Sequence, residues 1–277
     1  MTEPAKIAKH ASEGGHWYDR AGNQIAEVAG AKGQPLKPTL RHARVHGWAP
    51  GVTTIIGQAR AHQLERWKTR QAVISALTLP RGANESDDAF LSRVEADGRE
   101  QAKAAAERGT EIHAAIQRYG ERHREPGFPF SAYWSPWIDA IRSELERYNC
   151  DPDEPWHSEI GCAHSAGYGT KADLVCDGWL VDFKTKDVID GRTKTYDEHD
   201  MQLAATAHAV RMSTDHKVER CAIVFLTREA PVEARLVEVD TPALERGWLS
   251  FNALLSYWKS KNRHEPWQRT FTERTTT

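Results

Sequence analysis

Asp173, Asp182 and Lys184 are the residues whose types and spacing could do chemistry together. They lie in the stretch KADLVCDGWLVDFKTK, residues 171–186. Asp177-Gly178 is the two-residue pair that marks a tight hairpin. With those residues as the loop, Cys176 pairs with Trp179, Val175 with Leu180, Leu174 with Val181 and Asp173 with Asp182. Two carboxylates then meet in a non-hydrogen-bonded pair, with Cα atoms about 4.5 Å apart. Like charges so placed destabilise a sheet. Side chains alternate, so Leu180, Asp182, Lys184 and Lys186 share one face, and Trp179, Val181, Phe183 and Thr185 the other. A carboxylate pair with a lysine in reach suits a hard divalent cation, which takes oxygen ligands. The ammonium would hold a water or stabilise charge on a phosphoryl oxygen. The same count sets Lys171 opposite Lys184, making Lys171 either a phosphate contact or the sign of a bulge before Asp173. A solvent-facing hairpin with scattered charges has the same spacing, and the pattern alone leaves both readings open.

Those residues need elements to hold them. Residues 16–29, HWYDRAGNQIAEVA, read as a small hairpin with a Gly-Asn turn. The Pro/Gly-containing loop GAKGQPLKP follows, and then GVTTIIGQ, a β-branched run with a glycine on each side. A helical pattern covers about residues 60–79 and stops at Pro80-Arg81-Gly82. Ser86, Asp87 and Asp88 open a helix to about Arg108; Gly109 interrupts it, and TEIHAAIQRYGERH carries a further helix to Pro126. Residues 135–149 form an amphipathic helix with Ser135 as N-cap and Pro136 in the first turn. After Asp151 the texture changes. WHSEIGCA alternates as a strand, the hairpin follows, and then come the helix DEHDMQLAATAHAVRM, the strands RCAIVFLT and ARLVEVD, and a helix over 241–260. This order predicts an α+β (α/β-like) fold, a mixed central β-sheet flanked by helices with a helical N-terminal region. The expected division is a hairpin and basic loop region over 1–50, and a main domain over 51–265 (helical over 51–150, sheet core over 151–265). A flexible tail follows over 266–277.

The 277 residues suffice for one large core, or a core with an attached subdomain. A mean hydropathy of -0.66 and no long apolar run speak against a membrane span. MTEPAKIAKHASEGG has no apolar h-region, so no secretory signal is expected. Cys150, Cys162, Cys176 and Cys221 stand far apart without a C-x-x-C pair, so no disulfide framework, zinc site or iron–sulfur cluster is expected, and a reducing cytoplasm is. Net charge is -2, yet residues 1–70 hold 11 Lys/Arg against 5 Asp/Glu. A basic N-terminal part beside an acidic remainder sets phosphate contacts next to carboxylates, although an unevenly charged solvated surface has the same statistics.

Read from their surroundings alone, the remaining candidates have structural roles. His113 flanks the apolar stripe of Ile112 and Ile116, Glu159 is a strand residue, and Gln202 and Thr206 share a helix face at i, i+4. Taken in order, however, the segments resemble the PD-(D/E)XK nuclease superfamily, in its RecB-like, phage-type exonuclease branch. GTKADLVCDGWLVDFKTK looks like the active-site hairpin: Asp173, eight intervening residues, then Asp182-Phe183-Lys184. RGTEIHAAIQRY resembles the RGT-x-x-H helix, whose histidine is a metal ligand; here it is His113. HSEIG resembles the preceding strand with its acidic residue, Glu159, and HDMQLAATAHAV the following helix with its glutamine, Gln202. Upstream, GVTTIIGQ…LERW is similar to the S/G-V-T-T-I-L segment and Trp-bearing helix of phage-encoded members. The resemblance spans about residues 51–227. Thr206 departs from it, standing where many relatives carry a stacking tyrosine.

The resemblance implies a restriction-endonuclease-like core and a DNA exonuclease that uses Mg²⁺ or Mn²⁺ to hydrolyse phosphodiester bonds, in phage DNA recombination or end processing. It implies His113, Asp173, Asp182 and the Phe183 carbonyl as metal ligands. Asp173, Asp182 and Lys184 would be catalytic; Glu159 would support the ligands or a second metal, and Gln202 would position the scissile strand. Arg108, Thr110, Lys171, Lys186 and Thr206 would contact DNA in a salt-dependent, sequence-independent manner. DNA is the implied partner, with a single-strand annealing protein as a second, in the cytoplasm of a bacterial host. A structure-specific endonuclease of the same fold would use the same residues. A small-molecule metallohydrolase would fit the carboxylates but leave the basic first 70 residues unused. Oligomeric state stays open.

Overall fold

The structure is a computed structural model that describes residues 16–59, 62–122, 125 and 128–268. In chain order its elements are β1 (Trp17–Tyr18), β2 (Gln24–Ile25), β3 (Val28–Ala29), β4 (Pro35–Leu36), α1 (Leu40–His46), β5 (Ala49–Pro50), α2 (Val52–Ile56), α3 (His62–Thr78), α4 (Asp87–Arg122) and α5 (Ser135–Arg147). The second half holds β6 (His157–His164), β7 (Tyr168–Cys176), β8 (Trp179–Lys186), α6 (Asp197–Ser213), β9 (Arg220–Thr227), β10 (Ala234–Val239) and α7 (Thr241–Asn262). Five of the strands form a mixed sheet in the order β10-β9-β8-β7-β6. Within this sheet β8 and β9 run parallel and the other neighbours antiparallel, because α6 carries the chain across the sheet between β8 and β9.

The sheet is buried on both faces. Ala172, Val175, Leu180, Ile223 and Phe225 pack with α2, α6 and α7 through Ile55, Leu203 and Phe251. Leu174, Val181, Phe183 and Val224 pack with α4 and α5 through Ile112, Ile116, Trp137 and Ile141. The small N-terminal sheet, β2-β1-β5, lies against β7, where Gly51 bridges Gly169. Gly169 has no Cβ to keep the Tyr18 ring away, so the two surfaces touch directly.

Several local expectations are corrected. α4 runs unbroken through Gly109, which is retained at a close approach: a Cβ there would lie 3.1 Å from Thr185 Oγ1. GVTTIIGQ folds as the short helix α2 in spite of its β-branched residues, since Val52, Ile55 and Ile56 all reach the core. Trp134, not Ser135, is the N-cap of α5, and the Ser135 hydroxyl donates to the Ser131 carbonyl. Nor does the tail begin at 266. Trp267 donates from its backbone to Gly47 O and from Nε1 to His164 O. Residues 60–61, where the α3 pattern was expected to begin, and those beyond 268 lie outside the described residues.

The hairpin register holds for Cys176↔Trp179, Val175↔Leu180 and Leu174↔Val181, and the β7–β8 ladder ends there. Asp173 and Asp182 are therefore not ladder partners, and Lys171 does not face Lys184. Lys171 instead pairs with Gly161 on β6. The cause is a kink shared by β6 and β7. Their ladder skips the Glu159–Asp173 pair yet resumes in the same register beyond it, and Glu159 sits at φ 56°. Across the kink Ala172 faces one core and Leu174 the other, although residues two apart in a regular strand share a face.

Candidate active site

The kink gathers the titratable side chains. His113, in the C-terminal part of α4, lies beside the Ile112/Ile116 stripe and sets its ring edge-on to Phe183, 6.1 Å between centroids. Its Nδ1 is 3.5 Å from Asp173 Oδ2, which also accepts a hydrogen bond from the Phe183 backbone N–H at 3.0 Å. That Asp173–Phe183 bond stands where a regular ladder would have continued. Left-handed backbone is uncommon for a non-glycine residue and costs about 1–3 kcal/mol. At Glu159 it accompanies a carboxylate that joins the same group. Ligand atoms of His113, Glu159 and Asp173 lie within 4.8 Å of one another.

Asp182 stands on the adjoining β8, on the face turned to α6. Gln202 Nε2 donates to its Oδ1 at 2.7 Å, and Lys184 Nζ lies 2.7 Å from its Oδ2. Burial alone would depress the Lys184 ammonium, but the charges of Asp182 and Asp173 outweigh it and raise its pKa. Burial first, and then the charge of Asp182, push the Asp173 carboxyl up to about 6. The sequence pattern did not single out His199. It lies one turn before Gln202 and is held neutral, its pKa lowered to about 4 by burial and then by the charge of Lys184. The i, i+3 spacing to Gln202 is the signal that could have found it.

These donors fit a hard divalent cation. Two carboxylates and an imidazole nitrogen are already convergent, and the Asp173 carboxyl, raised first by burial and then by the Asp182 charge, would be relieved by a cation beside it. Asp173 binds its proton more tightly folded than unfolded. The metal-free fold is therefore penalised above about pH 6, and the penalty fades as pH falls toward the ordinary value of 3.8. Asp173→Asn should accordingly stabilise the metal-free protein at pH 7.5 by about 1–3 kcal/mol, a gain that disappears near pH 4 in urea melts run with EDTA.

Of the residues expected to meet DNA, three are committed elsewhere. Thr206 is buried, and its hydroxyl shares a 3.1 Å hydrogen bond with Thr170 Oγ1, because it faces the sheet and not the site. Arg108 lies over the rings of Trp134 and Trp137, 4.9 and 5.1 Å from their centroids, and donates to Arg228 O. The Thr110 hydroxyl donates back to Ala106 O. Lys186 remains near the site, its Nζ 4.5 Å from the centroid of Phe225. Lys171 pairs with Glu159. The loop after β8 adds exposed Arg192 and Lys194, which the motifs did not mark. Thr206→Val should lower stability by about 1–2 kcal/mol and leave DNA affinity unchanged, as read by melts and by titration in Ca²⁺.

Fold and site together define an α+β protein whose five-stranded mixed sheet carries a buried aspartate paired with a half-buried lysine, beside a cation-capable His–Glu–Asp group. No family model matches the chain, and no curated protein matches it. Among solved structures it is similar to a Eubacterium rectale protein described as an exonuclease, with 16% identity, 58% of this chain and 68% of the other covered, and a TM-score of 0.39. It is also similar to the alkaline exonuclease of Laribacter hongkongensis, with 14% identity, 72% and 94% covered, and a TM-score of 0.31. The same exonuclease in complex with dAMP gives 13% identity at the same coverage and TM-score. Among the described residues, no helix is long and apolar enough to cross a membrane.

Proposed function

We propose that this chain is a divalent-metal-dependent DNA exonuclease of the PD-(D/E)XK type, with a role in phage DNA recombination or end processing. The observation that carries the reading is the placement of Lys184. Its ammonium is fixed on Asp182, one strand from the His113–Glu159–Asp173 group, and is held charged. His113, Glu159 and Asp173 would hold Mg²⁺ or Mn²⁺, with Asp182 and the Phe183 carbonyl as further oxygen donors. Such an ion, when bound, supplies Lewis acidity toward a phosphoryl oxygen and cancels the repulsion among the carboxylates.

The chain's own groups do the rest. Lys184 keeps its proton and so acts by charge, orienting the attacking water and stabilising the phosphoryl oxygens as negative charge grows on them. Gln202 holds Asp182 in one orientation, leaving the carboxylate its second oxygen for Lys184. Neutral His199 keeps a further positive charge away from the ammonium. Lys171, Lys186 and the exposed Arg192 and Lys194 would supply contacts to the phosphate backbone.

Digestion of end-labelled linear DNA beside covalently closed circles, with Mg²⁺ and with EDTA, tests the reading. Mononucleotides released from linear DNA alone, and only with Mg²⁺, are expected. Cutting of closed circles would turn the assignment to an endonuclease of the same fold, and no cleavage of either would remove the nuclease reading.

A further inference from the structure

Lys171 and Glu159 form an ion pair at the kink, and Glu159 is at the same time one of the three residues whose ligand atoms converge. One carboxylate is thus set between an ammonium and a candidate cation site. The geometry explains why the lysine can reach. Lys171 is the ladder partner of Gly161, so Glu159 is its diagonal neighbour across the two strands, a separation that long side chains span. The pair is half-buried: the side chains are 31% exposed for Lys171 and 15% for Glu159, so the contact is screened less than a surface ion pair. Gly161 offers no side chain in between. His16, just before β1, interacts with Lys171, and its Nδ1 is 2.6 Å from Gln24 Nε2.

We infer that Lys171 is a built-in stand-in for the divalent cation: its ammonium holds Glu159 when no metal is bound, and metal binding frees it to contact a DNA phosphate. Two consequences follow from linkage. Lys171 competes with the metal for Glu159, and metal binding adds one phosphate contact to the DNA interface. The lysine also balances the Glu159 charge while no metal is bound. It is a positioning residue and makes no contact with reacting atoms. The metal half of this inference rests on the His113–Glu159–Asp173 group taking the cation, and the DNA half on the nuclease reading.

Calorimetric titration of Mn²⁺ into wild type, Lys171→Met and Lys171→Arg, all without DNA, separates the first consequence. The Met variant keeps the apolar stem and should bind Mn²⁺ about three- to tenfold more tightly, while the Arg variant, which retains the ion pair, should stay near wild type. Unchanged or weaker Mn²⁺ binding by Lys171→Met would overturn the exchange. For the second consequence, DNA affinity is measured against salt, with Ca²⁺ and with EDTA. The slope of log K against log salt should be smaller by about one in Lys171→Met with Ca²⁺ and equal to wild type with EDTA. A difference of the same size under both conditions would show that Lys171 touches DNA without any release, and would overturn the coupling. Protein that binds no DNA in either condition removes the nuclease reading, and the Mn²⁺ titration still decides whether Lys171 competes.

Discussion

Replacing Lys184 with alanine is expected to lower the rate of DNA cleavage by roughly 10²–10³-fold, while DNA binding in Ca²⁺ survives. The expectation follows from where the ammonium sits. It is 2.7 Å from Asp182 Oδ2, and both Asp182 and Asp173 raise its pKa against the effect of burial. Such a group stays charged through the neutral range, so its loss removes stabilisation of developing charge and not a titrating base. It also leaves Asp182 buried without its cation, so the variant should melt earlier, by about 1–3 kcal/mol in the absence of metal. Lys184→Arg restores charge with a different shape and should recover stability more than rate. Single-turnover cleavage reads the chemical step directly. Full activity in Lys184→Ala would sink the assignment of this lysine.

The second large effect concerns the metal. At a free Mn²⁺ concentration a hundredfold above its dissociation constant, the wild-type fold should gain about 2.7 kcal/mol. His113→Ala, Glu159→Ala and Asp173→Ala should each lose most of that gain. Glu159 is the informative one. Hairpin geometry alone nominates Asp182 as the partner of Asp173, whereas the folded chain brings Glu159 to Asp173 and commits Asp182 to Gln202 and Lys184. Thermal melts with and without Mn²⁺, monitored by calorimetry, distinguish the two arrangements. A Glu159→Ala protein stabilised by Mn²⁺ as fully as wild type would return the ion to the two aspartates.

What could be read from the chain alone was whatever depends on neighbours in sequence. The Asp177-Gly178 turn set the pairing of Cys176, Val175 and Leu174, and strand alternation put Asp182 and Lys184 on one face. Helical periodicity put His113 beside the apolar stripe of α4, and the order of elements gave a mixed sheet with helices on both sides. Each of these is decided within a few residues, by dihedral preference or by side-chain period.

Only the tertiary structure decided the kink, and the kink decides the site. A positive φ at Glu159 goes against that residue's own preference and persists because the strands on both sides of it are locked in register. No propensity can announce a conformation that the surrounding fold imposes. The same holds for Thr206 and Arg108, polar residues whose place was settled by Thr170 and by two tryptophans distant in sequence. Gln202 was visible as a helix residue, but its hold on Asp182 required α6 to cross the sheet. Local pattern named the two aspartates and Lys184, the family resemblance added His113, Glu159 and Gln202, and long-range packing chose which of them meet.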